Sequence, residues 1–149
     1  MRQEEIQKVI DGIPDPYWYG TRIASFVLTG TFLLSIFNLI DKYGDVDVLV
    51  VDSDKDFWSD FISENEHKII GGFEGYDSVK IEANGYIFNF IRDSGYSIEM
   101  DSTNVMIGAS NIYLDSIQHA LQAKHNLKRD KDKLHFVEIN EKLNSLIQE

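Results

Sequence analysis

A chain of 149 residues suits one domain with one core, and a 43% hydrophobic content argues against a long disordered part. The absence of cysteine excludes disulfides and thiolate zinc sites and fits a reducing, cytoplasmic setting. A net charge of −11 disfavours a large nucleic-acid partner, because phosphate backbones are bound by Lys and Arg.

The opening MRQEEIQKVI is charged, unlike a signal peptide. Ile6, Val9, Ile10 and Ile13 follow helical spacing, and Pro14 and Pro16 end that helix. Tyr17, Trp18 and Tyr19 form an aromatic cluster that fits packing better than base stacking. A strand is predicted over Ala24 to Leu28. A helix is predicted from Gly30 to about Lys42, apolar on most of its circumference and therefore deeply buried. Its apolar run FLLSIFNLI is too short to span a bilayer, so no membrane partner is expected. Asp45 to Val51 reads as a β-branched strand. Ser53 or Asp54 can cap a helix whose stripe is Phe57, Trp58, Phe61 and Ile62. Asn84-Gly85 between two alternating runs is a strong hairpin signal. A short strand near Val105 to Gly108 follows. Two closing helices, from about residue 110, are marked by Leu114, Ile117 and Leu121, then by Phe136, Ile139, Leu143 and Leu146. This order predicts an α+β fold, an α/β sandwich with a small mixed sheet, in a single domain over residues 1–149.

Asp45 and Asp47 lie two apart on a strand and so share a face. Both can reach one hard cation, and Mg²⁺ takes few carboxylates plus substrate phosphates. Alone, the pair also fits a strand cap. Gly30-Thr31 follows a strand and opens a helix. It suits a phosphate and equally suits a tight strand-to-helix connection.

Val27 to Leu33 with Asp45-Val46-Asp47 resembles the nucleotidyltransferase superfamily that includes DNA polymerase β, the minimal nucleotidyltransferases and the abortive-infection-type nucleotidyltransferases. Lys124, Arg129, Lys131 and Asp132 resemble a Lys…Arg-x-Lys-Asp pattern in the C-terminal helices of such proteins. The resemblance runs from about residue 20 to residue 140. It implies that Asp45 and Asp47 bind Mg²⁺ and that Gly30 and Thr31 hold the triphosphate of ATP or another NTP, with Lys131 in reach of it. A nucleoside monophosphate would then pass to a small-molecule or protein hydroxyl. The short chain leaves room for a second subunit, in a homo- or hetero-oligomer, to complete the site.

Three residues depart from the pattern. Thr29 stands where many relatives have Gly, and His135 where the C-terminal pattern often has Asp. Asn89 stands where the family places a third carboxylate, and a neutral amide neither accepts the proton nor ligates a cation well. In a two-residue hairpin, Ala83 faces Tyr86, Glu82 faces Ile87 and Lys80 faces Asn89, so Lys80, Glu82 and Asn89 share a face. Glu82 either supplies the missing carboxylate or is only a surface partner of Lys80. The alternative to an active transferase is a degenerate relative that binds a nucleotide or a partner. The four histidines have no metal-ligand spacing, and neither a P-loop nor a nucleophile elbow is present.

Overall fold

Alternation decides which way each strand faces. In β2 (Val46–Asp52), Val46, Val48 and Val50 are buried in the main core, so Asp47, Leu49 and Val51 point to the opposite face. The computed structural model describes residues 1–14, 24–52, 55–73, 77–93, 95–107 and 110–148. Among them seven strands form one mixed sheet in the order β3-β4-β5-β2-β1-β7-β6: β1 (Ala24–Thr29), β2, β3 (Ile69–Phe73), β4 (Ser78–Ala83), β5 (Tyr86–Arg92), β6 (Ser102–Ile107) and β7 (Ser110–Asp115). β2 runs parallel to β5, and β1 parallel to β7. β1 and β2 pair antiparallel at the centre.

The core joins Leu28, Val48, Ile81, Phe88 and Phe90 of the sheet to residues of four helices. These are α1 (Gln3–Gly12), α2 (Gly30–Ile36), α3 (Lys55–Asn65) and α5 (Ile117–Leu127), which contribute Val9, Phe32, Phe61 and Ala120 among others. The other face of the sheet carries a smaller cluster of Val27, Leu49 and Tyr96, beside the short α4 (Ile98–Asp101). Asn84 and Gly85 both have positive φ, as a type I′ hairpin requires. The hairpin register is the one expected, Lys80 opposite Asn89 and Glu82 opposite Ile87.

The helix expected from Gly30 to Lys42 stops at Ile36. Asn38 takes the left-handed conformation, φ 58. Leu39 N–H donates to Leu34 O at 2.9 Å and Asn38 N–H to Ser35 O at 3.0 Å, which is a Schellman ending with Asn in glycine's usual place. Leu34 and Leu39 then meet in one cluster. The apolar residues beyond the stop belong to a loop that α6 (Asp130–Gln148) covers. Ile139 packs on Leu34 and Ile40, and Lys142 pairs with Asp41.

The closing helices start at Ile117, not near residue 110, because Ser110–Asp115 forms β7. Leu114 is therefore a strand residue of the core, and Ser116 caps α5 by accepting from His119 N–H at 3.0 Å. β3 also lies outside the expected elements. Its Gly72 permits close approach to β4, since a Cβ there would lie 2.6 Å from Ser78 O. Leu143 and Leu146 fit the helical period of α6 but are exposed. The aromatic cluster at 17–19 and the cap at 53–54 lie outside the described residues. No helix among the described residues is long and apolar enough to cross a membrane.

Candidate functional site

The sheet register assembles a row of polar side chains on the face opposite the main core. Lys80 pairs with Asn89, Asn89 with Asp47, and Asp47 with Thr29. Asp115 of β7 continues the row, one residue beyond the Leu28–Leu114 pairing. Adjacent strands lie about 4.8 Å apart, and within the row Asn89 bonds Asp47 and Thr29 bonds Asp115.

Asp47 sits at the centre. Asn89 Nδ2 donates to its Oδ1 at 3.3 Å, and Asn89 Oδ1 is buried with no partner. Burial, opposed by the Asn89 hydrogen bond and aided by the charge of Asp45, pushes the Asp47 carboxyl up to about 6. Lys124 and Arg129 pull it down, so the basic groups of the C-terminal helices are felt at this carboxylate.

Gly30 lies against Asp47. Its φ is +68, and an added Cβ would come 2.1 Å from Asp47 Oδ2. Only glycine combines that backbone with that contact. Thr31 works from the other side of the turn. Its Oγ1 accepts from Gly44 N–H at 3.2 Å, which ties down the loop that delivers Asp45. Asp45 itself pairs with Lys80, Nζ to Oδ2 at 2.8 Å.

The expected site residues thus divide. Asp45, Asp47, Asn89 and Gly30 come together, and Thr31 fastens the loop before Asp45. Glu82 is exposed. No three of His, Cys, Asp and Glu among the described residues form a metal group, so Glu82 does not join Asp45 and Asp47. Lys131 is exposed near the start of α6, whereas Lys124, Arg129 and Asp132 gather. Lys124 Nζ and Arg129 Nε each reach Asp132 at 2.7 Å. Burial raises the Asp132 carboxyl, but hydrogen bonds from Arg129 and Lys124 outweigh it and hold the group well below the usual carboxylate range. His135 is half-buried nearby, and burial with the Lys124 charge lowers its ring below the ordinary value.

Asp115 was not legible as a site residue. It is buried and accepts from Thr29 Oγ1 at 2.7 Å, Tyr96 Oη at 2.8 Å and Ser116 N–H at 2.8 Å. His119 Nδ1 lies 2.6 Å from it. Burial and then the hydrogen bond to Asp115 raise the Tyr96 phenol far above its usual range, so it keeps its proton. Thr29, the departure before Gly30, is therefore the link between the site turn and this cluster. The signal in the sequence was Asp115-Ser116, a strand end followed by a helix cap.

Two carboxylates, with no third acid grouped beside them among the described residues, suit one hard cation whose remaining ligands come from substrate phosphates and water. The incompletely hydrogen-bonded Asp47 fits that role.

No family model matches the chain, and no curated protein matches it in sequence. Its fold is similar to that of a proposed nucleotidyltransferase from Thermotoga maritima, with a TM-score of 0.61 at 14% identity over 99% of this chain and 96% of that one. A looser likeness, TM-score 0.45 at 12% identity over 92% of this chain and 69% of the other, is to an antigenic nucleotidyltransferase-like protein from Paracoccidioides brasiliensis. By its mixed sheet and the Thermotoga likeness, the chain has the nucleotidyltransferase-like fold.

Proposed function

We propose that this chain transfers a nucleoside monophosphate from ATP or another NTP to an acceptor hydroxyl, with Asp45 and Asp47 holding Mg²⁺. The observation that carries the reading is the contact of Gly30 with the Asp47 carboxylate. It sets a glycine turn directly on an under-bonded acid, where a phosphate and a cation can meet. Mg²⁺, when bound, would neutralise charge on the phosphates and align the attacking oxygen. Thr31 supports Asp45 through Gly44. Lys124 and Arg129 add a positive field at Asp47, and Lys131, exposed at the start of α6, would be the side chain that meets a triphosphate. The acidic net charge of −11 favours a small-molecule or protein acceptor over a large nucleic acid.

A second reading, a nucleotide- or partner-binding module without turnover, is favoured by Asn89, whose amide replaces an acid beside Asp47. Thermal unfolding with Mg²⁺ and each NTP tests the first step. Ligand that binds the native state raises the melting temperature by mass action. The expected result is a rise of several degrees that needs both metal and nucleotide, and no rise in Asp45→Ala/Asp47→Ala. No metal-dependent rise in the wild type overturns both nucleotide-binding readings and leaves a partner-binding module. A rise without label transfer from α-labelled NTP to lysate acceptors selects the second.

A further inference from the structure

Lys80 is the one cation among the described residues that forms an ion pair with a candidate metal ligand. It stands on β4 opposite Asn89, which stands opposite Asp47, and all three point to the same face of the sheet. Its ammonium is 2.8 Å from Asp45 Oδ2, with the two side chains 37% and 33% exposed. A pair so exposed adds little to stability. Its consequence lies in which cation Asp45 can accept.

Asn89 has the matching property. Its Nδ2 already donates to Asp47, so the amide acts as a donor where an acid would act as a ligand. Replacing a carboxylate by Asn89 and adding Lys80 raises the local charge by two units, the charge of one divalent cation. Two-metal sites hold their ions about 3.5–4 Å apart, a separation that needs bridging or additional acids, and among the described residues no third acid joins Asp45 and Asp47.

Resting on the nucleotidyltransferase reading, we infer that Lys80 takes the place of a second divalent ion, so that this site binds one metal ion per chain. The ammonium neutralises Asp45 on the Asn89 side, and the single cation is held at Asp47 and the remaining Asp45 oxygen. Lys80 is then a fixed charge that needs no coordination shell, and nucleotide phosphates meet it without a second metal.

The test uses the full chain and Mn²⁺ alone, with free Mn²⁺ counted by electron paramagnetic resonance. Wild type is expected to bind one Mn²⁺. Lys80→Met removes the competing charge and tightens Mn²⁺ roughly tenfold, as loss of a like charge a few ångströms away predicts. Lys80→Arg keeps the charge and keeps wild-type affinity, which separates charge from packing. Lys80→Met/Asn89→Asp restores an acid and binds two Mn²⁺. Two ions on the wild type, or unchanged affinity in Lys80→Met with native circular dichroism, overturns the inference and leaves the transferase reading standing. No Mn²⁺ on the wild type or any variant overturns both. Should Lys80→Met fail to fold, Lys80→Gln carries the same expectation.

Discussion

Asp47 and Asp115 lie in one row across the sheet with Thr29 between them, yet their surroundings are opposite. Asp115 has Thr29, Tyr96, Ser116 and His119 around it, all within 2.8 Å. Asp47 has one amide at 3.3 Å. A buried carboxylate with a full set of donors is a structural anchor, because removing it strands every donor that faced it. A half-buried carboxylate with one long hydrogen bond costs stability until a cation arrives. The same row therefore separates a residue that holds the fold from the residue proposed to hold a cation.

Asp115→Ala makes the largest break in this contrast. It leaves the Thr29 hydroxyl, the Tyr96 phenol and the His119 ring facing a void, at a cost of about 3–5 kcal/mol. Denaturant unfolding at neutral pH would register the loss, and Mn²⁺ binding by the protein that remains folded should be unchanged. A loss under about 1 kcal/mol would mean that Asp115 is no anchor.

Asp47→Asn should act in the reverse sense and depend on pH. The Asp47 carboxyl titrates at about 6 in the folded chain, above its ordinary 3.8. The folded state therefore holds that proton more tightly than the unfolded one. The stabilisation from this group is complete below about pH 4 and disappears as pH rises through about 6. Asn does not titrate, so the variant gains on wild type across that window, by roughly 2–3 kcal/mol at pH 7. Denaturant midpoints for both proteins from pH 4 to 7, in chelator, give the difference. A flat difference would show that burial does not strain Asp47, and saturating Mg²⁺ should shrink the gain.

Much of this contrast was legible in the sequence, and the illegible parts have physical reasons. Alternation in Val46 to Val50 fixed the face of Asp47, and Asn84-Gly85 fixed the register that places Lys80 opposite Asn89. The stop of α2 was hidden because Asn38, not glycine, takes the left-handed position, inside a run whose apolar residues continue to Ile40. β7 was hidden because Leu114 and Ile117 also fit a helical period, and only the pairing of β7 with β1 and β6 decides between the two. Under a helical period, residues 110–115 give Asp115 no sheet face and no neighbours, and Thr29 stands only as a departure from glycine. β3 was hidden by Gly71-Gly72, where close strand approach overrides the low strand preference of glycine. Lys80 lies on the expected face, but its ion-pair partner is Asp45 and not its same-strand neighbour Glu82, because the long Lys80 side chain reaches over Asn89 of β5 toward the start of β2.

Thr29→Val tests the boundary between the two carboxylates with the smallest change. The substitution keeps shape and β-branching, and removes only the hydroxyl that donates to Asp115 at 2.7 Å. Three other groups still surround that carboxylate, so the expected loss is about 1 kcal/mol, a drop of a few degrees in melting temperature. Thr29 precedes Gly30, and Gly30 rests on Asp47. If the hydroxyl only anchors the strand end, Mn²⁺ affinity stays within about twofold of wild type. If it holds the turn in the position that Asp47 needs, affinity falls along with stability, and restoring the hydroxyl with Thr29→Ser recovers both. The second outcome would make the Asp115 cluster the support of the candidate site, and the two carboxylates would then be one device whose far end is structural.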